Sequence, residues 1–149
     1  MLAGIHNELL KAVLDAFYLR FTPKGRVLWV SEEDRPVLSA RDELHEIGVS
    51  LLRPRSLPTV VINDDQHARL ALIDVADLRG LMTEYRREVL KRLFGESRAD
   101  LVLVNAFRNR KQFQASLDEL PWETVVWFAD EPNHLVHFNG SNLFGPAST

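Results

Sequence analysis

Three aspartates lie in or beside two β-rich segments in the middle of the chain. The segments cover residues 59–62 and 70–75; Asp64 and Asp65 fall in the turn between them, and Asp74 lies near the end of the second. Metal-dependent nucleases use carboxylates from adjacent strands to hold Mg²⁺ and to position the water that attacks a phosphodiester. Asp74 and Asp65 are therefore candidate metal ligands, and all three aspartates are candidate catalytic residues. The competing interpretation is structural, because a lone aspartate at a strand end is more often a turn or capping residue.

A basic segment follows these strands. Residues 79–111 contain nine Lys or Arg against four Asp or Glu, although the whole chain has a net charge of −3 and a pI near 5.9. Lysine and arginine make many of the protein contacts to DNA phosphates. The members that share one predicted helix are therefore candidate nucleic-acid-binding residues: Arg86, Arg87, Lys91 and Arg92. A solvated helix face is the alternative meaning of such a run.

Composition and spacing exclude several other chemistries. The chain has no cysteine, which rules out disulfides and thiolate metal sites, and its few glycines are not clustered into a phosphate-binding or dinucleotide-binding loop. His134 and His137 are three residues apart on a predicted strand, so their side chains point to opposite faces and suit a shared metal poorly. No apolar run is long enough to span a bilayer, and the amino terminus does not resemble a signal peptide. We therefore expect a cytoplasmic protein with no membrane partner.

Periodicity and turn residues predict the elements that position these side chains. Apolar residues at helical spacing predict a helix over residues 5–20 and another over 83–94, the second capped by Thr83 and closed by Gly95. The two β-rich segments are predicted to form an antiparallel hairpin. Further elements are a short helix that ends at Gly48, a helix over 109–117, and strands over 26–30, 101–104, 124–129 and 135–138. This order predicts an α/β fold with a mixed sheet, in a single domain over residues 1–149.

The last part of the chain combines aromatic and polar residues. Alternation over residues 125–129 predicts a half-buried strand, so we predict that three aromatic residues lie in the core: Trp122, Trp127 and Phe138. The polar exceptions are predicted to form a buried hydrogen-bond network rather than to contact DNA: Asp130, His134, His137 and Asn139.

Several segments together resemble one known protein family, over roughly residues 7–146. They are Gly25-Arg-Val-Leu-Trp-Val30, Leu57-Pro-Thr-Val-Val61, Leu101-Val-Leu-Val-Asn-Ala-Phe107, Arg110-Lys111, the stretch 122–140 and the closing Gly145-Pro146. In this order they resemble the nuclease domain of the BsuBI/PstI restriction endonucleases, a family of the PD-(D/E)XK superfamily. The resemblance implies a restriction-endonuclease-like mixed sheet flanked by helices, dependence on Mg²⁺, and cleavage of duplex DNA at a short palindrome.

The chain departs from the family pattern where the resemblance places the catalytic residues. Thr59 stands where the family has the aspartate of a Pro-Asp pair, and Asp74 stands where it has the acidic residue that opens a Glu-Ala-Val-like motif. Tyr85 stands at the position of the candidate catalytic lysine. A phenol cannot supply the ammonium charge that stabilises a pentacovalent phosphate. We therefore expect impaired cleavage.

A working site would need substitutes from nearby parts of the chain. Asp64 or Asp65 would have to reach the metal from the turn, and Arg86 or Lys91 would have to supply the positive charge from the helix. Mg²⁺ would be a cofactor only in that case.

Three functions are compatible with these features. The first, which we favour, is a restriction-endonuclease-like DNA-associated domain with lost or weakened cleavage, in a restriction or phage-defence context. The second is an active Mg²⁺-dependent endonuclease that acts as a homodimer, because cuts at symmetric sites call for twofold symmetry. The third is a protein-interaction or regulatory module without nucleic acid. Enzymes of the family carry a further DNA-reading domain, so we expect recognition of duplex DNA to come from a homodimer or from a partner protein.

Overall fold

Seven strands and a set of short helices make up the described part of the chain, which comprises residues 4–33, 35–49, 57–79 and 82–139 of a computed structural model. The helices are α1 (Glu8–Ala12), α2 (Tyr18–Phe21), α3 (Arg41–Glu46), α4 (Ala76–Arg79), α5 (Glu84–Leu93) and α6 (Arg110–Gln114). The strands are β1 (Arg26–Glu32), β2 (Arg35–Ser39), β3 (Val60–Asp64), β4 (Arg69–Val75), β5 (Asp100–Phe107), β6 (Thr124–Phe128) and β7 (Leu135–Phe138). A π-helical turn, Val13–Phe17, joins α1 to α2 without a break. The closing Gly145-Pro146 pair lies outside the described residues.

The strands form one mixed sheet in the order β2-β1-β3-β4-β5-β6-β7. In the run β2, β1, β3, β4 each strand is antiparallel to its neighbour; β4, β5 and β6 are parallel, and β7 returns antiparallel to β6. The predicted hairpin is therefore confirmed, with Val60 opposite Ile73 and Asp64 opposite Arg69. The parallel step from β4 to β5 is made by a crossover through α4 and α5, as parallel neighbours require.

Helices cover both faces of the sheet. On one face, Leu10 and Phe17 of the amino-terminal helix belong to a core cluster with Trp127 of β6, and the Phe17 and Trp127 rings meet edge to face at 5.7 Å between centroids. On the other face, Leu90 of α5 belongs to a second cluster with Leu72 of β4. Odd and even positions of β4 thus face different helices, because side chains alternate along a strand. Polar residues at even positions of β4 must face α5.

The start of α5 agrees with the prediction. The Thr83 hydroxyl accepts a hydrogen bond from the backbone N–H of Arg86 at 3.3 Å and so caps the helix. The cap fixes where the first turn of α5 begins, and with it the position of Arg86 above the sheet. No helix in the described part of the chain has the length and apolar character needed to cross a membrane.

Strand β2 and the end of α6 were not predicted correctly. The segment Arg35-Pro36 has no alternating pattern, and proline has no N–H for a strand ladder. β2 can include Pro36 because it is an edge strand of the sheet, where a missing N–H donor is tolerated. The helix predicted over 109–117 ends at Gln114, and a separate 3₁₀ turn follows at Leu117–Glu119.

The predicted roles of the last aromatic and polar residues hold only in part. Trp127 is fully buried as predicted, and Phe138 is half-buried, but Trp122 is 64% exposed, so its core assignment is wrong. Trp122 lies in the turn before β6, and its ring meets that of Phe138 at 6.1 Å between centroids. The prediction of a buried polar network is also wrong. Its proposed members are all exposed, because they lie in the turn after β6 or at the edge strand β7. They are Asp130, His134, His137 and Asn139.

Candidate functional site

Three polar side chains stand side by side on neighbouring strands, on the face of the sheet that α5 covers. Asp74 of β4 lies opposite Asn105 of β5, and Thr59 lies one residue beyond the Val60–Ile73 pair, next to Asp74 on the other side. Their exposed fractions are 1% for Thr59, 1% for Asp74 and 0% for Asn105. We call these three residues the polar row. It lies at the carboxyl ends of the parallel strands β4 and β5.

Asp74 is paired with a cation from the helix above it. The Nε atom of Arg86 donates to Oδ2 of Asp74 at 3.1 Å, and Nη2 of Arg86 donates to Oδ1 at 3.3 Å. The same Nη2 also donates to the carbonyl oxygen of Leu57 at 2.8 Å. The Arg86 side chain is only 17% exposed. A buried carboxylate is costly unless it is paired and hydrogen-bonded, and here both of its oxygens are held by one planar guanidinium.

The other two members of the row hold backbone groups. The Thr59 hydroxyl accepts a hydrogen bond from the N–H of Val75 at 3.2 Å. The Asn105 amide accepts from the N–H of Met82 at 2.8 Å and donates to the Met82 carbonyl at 3.4 Å. Met82 precedes α5, so Asn105 fixes the entry of the helix over the row. Every side chain of the polar row thus has a partner within the domain.

Asp64 and Asp65 lie at the other end of the hairpin. Asp64 lies opposite Arg69 of β4. Because Arg69 is five residues before Asp74 along this strand, the two aspartates are separated by roughly 16 Å. Oδ2 of Asp64 accepts from Nη2 of Arg69 at 3.0 Å and contacts Nδ1 of His67 at 2.9 Å. Burial acts to raise the pKa of Asp64, but these hydrogen bonds outweigh it and hold the pKa below its ordinary value. The structure does not bring Asp64 or Asp65 together with Asp74.

The candidate nucleic-acid-binding residues of α5 divide into two pairs. Arg86 turns inward to Asp74, and Arg87, whose side chain is 12% exposed, donates from Nη1 to the carbonyl oxygen of Trp122 at 2.6 Å. Lys91 and Arg92 are exposed. Only the second pair is open to a phosphate backbone without breaking an internal contact.

Tyr85 points away from the polar row. Its side chain is 80% exposed, whereas its neighbour Arg86 is largely buried. Successive helix positions differ in direction by about 100°, so Tyr85 and Arg86 point in different directions from the helix axis. The phenol therefore does not replace the charge of a lysine within the row.

Comparison with known proteins places the chain in a family. The BsuBI/PstI restriction endonuclease domain matches residues 1–141. The chain belongs to this family. The type II restriction enzyme BsuBI of Bacillus subtilis is 37% identical over 144 residues, which cover 96% of this chain and 46% of the enzyme. The type II restriction enzyme AplI of Arthrospira platensis is 31% identical over 148 residues, which cover 92% of this chain and 44% of the enzyme.

A solved structure confirms the predicted fold. The structure of the SdaI restriction endonuclease superposes with a TM-score of 0.83 at 33% identity, over 99% of this chain and 47% of that one. The prediction of a restriction-endonuclease-like mixed sheet flanked by helices is therefore confirmed. The chain spans about half the length of the relatives that it matches.

Membership of a restriction endonuclease family implies Mg²⁺, but the donors at the polar row do not fit this ion. Mg²⁺ prefers carboxylate oxygens and water, and the row offers one carboxylate whose two oxygens are held by Arg86. The next acidic residue along the chain, Asp77, is held by Arg108 at 3.2 Å and by Gln112 at 2.7 Å. Within the described ranges, no three His, Cys, Asp or Glu side chains come together as a metal site would need.

Asn105 was missed by sequence reasoning. It is the single polar residue inside the apolar stretch 101–107, and a buried polar residue in such a strand needs a hydrogen-bond partner. That signal singles Asn105 out, but its partner, Met82, is 23 residues away in sequence. The direction of the Arg86 side chain is another fact that sequence spacing does not contain.

Proposed function

We propose that this domain is a DNA-associated member of the family in which cleavage is lost or strongly weakened, acting in a restriction or phage-defence context. The observation that carries the proposal is the polar row, where the single carboxylate is neutralised by Arg86. Its neighbour Thr59, which stands where the resemblance places an aspartate, instead accepts a backbone hydrogen bond. Duplex DNA is the proposed partner because the relatives are type II restriction enzymes.

The chemistry of phosphodiester cleavage explains why the row is expected to be inactive. Hydrolysis needs an activated water and positive charge near the phosphate, which nucleases of this kind obtain from carboxylate-bound metal and a nearby lysine. Asp74 is committed to a guanidinium and Tyr85 faces solvent. Asp64 and Asp65, the proposed substitutes, would have to act from the far end of the hairpin. We therefore expect the chain to bind DNA without cutting it.

A cleavage assay with a matched control tests this proposal. Supercoiled plasmid incubated with the protein and Mg²⁺ or Mn²⁺ should remain uncut, and the variant Asp74→Asn should give the same result. Cutting by the native chain that disappears in a folded Asp74→Asn variant would establish an active enzyme instead. A chain that neither cuts nor binds DNA would favour a protein-interaction module. If binding is seen, analytical ultracentrifugation with and without DNA would show whether a homodimer contributes the proposed recognition.

A further inference from the structure

The geometry points to Arg86 as the resident cation of the polar row: its guanidinium takes the place of a divalent metal ion, so that the domain associates with DNA without any divalent cation. This inference rests on the proposed DNA association, but its statement about the row is tested separately. The two residues that the inference involves are Arg86, on α5, and Asp74, on β4.

The position of the Arg86 guanidinium determines what else can bind to Asp74. The guanidinium contacts both oxygens of Asp74, at 3.1 and 3.3 Å, from the face of the sheet that α5 covers. A metal ion bound to Asp74 from this side would have to use the same oxygens. Arg86 and a divalent cation therefore compete for one place, and Arg86 has the advantage that it is tethered to the helix.

Arg86 is held in place by contacts other than its pairing with Asp74. Nη2 of Arg86 also donates to the Leu57 carbonyl at 2.8 Å, while the Thr83 cap and the Asn105 contact with Met82 fix the start of its helix. Because the cation is already held in place, little further conformational entropy is lost when DNA binds near the row. Displacing it would leave a guanidinium and a backbone carbonyl without these hydrogen bonds, which is unfavourable in a buried place.

The charge balance of the polar row also affects the approach of DNA. A phosphate that nears an unneutralised carboxylate is repelled, and a bridging divalent cation normally removes that repulsion. At this row the charge of Asp74 is already balanced by Arg86. DNA therefore gains nothing at the row from added Mg²⁺.

DNA binding by the native chain provides the first test. A short labelled duplex is titrated with the protein in EDTA and in Mg²⁺ at matched ionic strength, because phosphate contacts weaken as salt rises. We expect Mg²⁺ to give no tighter binding. An increase in affinity of about tenfold or more with Mg²⁺ that is lost in Asp74→Asn would overturn the inference. Absence of binding in both buffers would instead remove the proposed function.

Thermal unfolding with Mn²⁺ as a probe tests the row without DNA. The native chain should melt at the same temperature in EDTA and in Mn²⁺. The variant Arg86→Gln should melt lower in EDTA and recover by about 4 °C or more with Mn²⁺, because Asp74 becomes open to the metal. The double variant Asp74→Asn/Arg86→Gln should show no such recovery.

A second single variant keeps the test decisive if Arg86→Gln does not fold. Arg86→Lys keeps a positive charge near Asp74 but loses the planar fork that holds both of its oxygens, so an oxygen becomes open to the metal and the melting temperature should rise with Mn²⁺. Failure of every folded single variant to respond to Mn²⁺ would contradict the inference. So would a response of the native chain that Asp74→Asn abolishes.

Discussion

Two buried aspartates show how one residue type takes different environments in the same hairpin. Asp64 and Asp74 are 2% and 1% exposed, and each is paired with an arginine. The partner of Asp64, Arg69, lies directly across the hairpin, whereas Arg86 reaches Asp74 from a helix 12 residues further along the chain. Each pair avoids the large cost of an isolated buried charge. The Asp64 pair closes the turn, and the Asp74 pair joins α5 to the sheet.

The Asp64 pair leads to a prediction about pH. Its folded pKa is below the ordinary value of 3.8, so the ionised carboxylate stabilises the fold above about pH 4. This contribution is lost as the pH falls from about 4 through the lower folded pKa. Asp64→Asn should therefore lower the free energy of unfolding by about 1–2 kcal/mol at pH 7, and the deficit should shrink at lower pH.

Urea unfolding at pH 7 and at successively lower pH values measures this difference. Asp118 is exposed in the turn after α6, and the control Asp118→Asn should stay within about 0.5 kcal/mol of the native chain. A deficit for Asp64→Asn that does not change as the pH falls would show that its charge does not stabilise the hairpin.

The polar contacts between α5 and the rest of the fold lie at its start and in its first turn. Thr83 caps it, Asn105 holds the backbone of Met82, Arg86 pairs with Asp74, and Arg87 donates to the carbonyl of Trp122. The apolar contacts of Leu90 and Phe94 follow in the later turns. Polar contacts therefore set the place and rotation of the helix, while apolar contacts hold its far end.

Asn105 and Thr83 should contribute unequally to this attachment. Asn105→Leu would leave the N–H and the carbonyl of Met82 buried without their partner, at a cost of about 1–3 kcal/mol. Thr83→Ala removes one capping bond from a half-buried position and should cost about 1 kcal/mol. Chemical denaturation ranks the two variants, and hydrogen exchange should show faster exchange in the first turn of α5 for both. A smaller effect for Asn105→Leu than for Thr83→Ala would contradict the anchoring role of Asn105.

The elements that could be predicted from the sequence are those with local signals. The helix after Thr83 and the hairpin between residues 60 and 75 have capping, periodic and turn residues of their own. β2 has none, because its Arg35-Pro36 start reads as a loop and its pairing depends on the distant edge of β1. Trp122 was misjudged for a related reason: its size suggested the core, but its place in a turn left the ring exposed.

The candidate site was predictable only as a set of residues. Asp74 and Arg86 were both recognised from the sequence, yet their pairing depends on which way α5 faces when it crosses the sheet. The distance from Asp64 to Asp74 follows from the hairpin register, which spacing along the chain does not reveal. Polar contacts between distant elements are the part of a site that local patterns do not contain.

At the scale of the whole molecule, the two faces of the sheet are covered by different helices. The face covered by α5 carries the polar row and the exposed side chains of Lys91 and Arg92. The opposite face is covered by the amino-terminal helix. Because Arg86 and Arg87 are committed to internal contacts, the DNA association that we propose should depend on the exposed pair.

Replacing Lys91 and Arg92 with alanine should therefore weaken binding to duplexes of different sequence to a similar extent. Phosphate contacts carry no sequence information, and each one lost reduces the slope of log affinity against log salt by about 1. Fluorescence anisotropy over a range of salt concentrations, with two unrelated duplexes, measures both quantities. The control Lys11→Ala/Lys24→Ala removes the same charge from α1 and from the turn before β1, and it should leave the slope nearly unchanged. Equal losses in the two double variants would mean that overall charge alone governs binding, and the basic segment of α5 would then be only a solvated helix face.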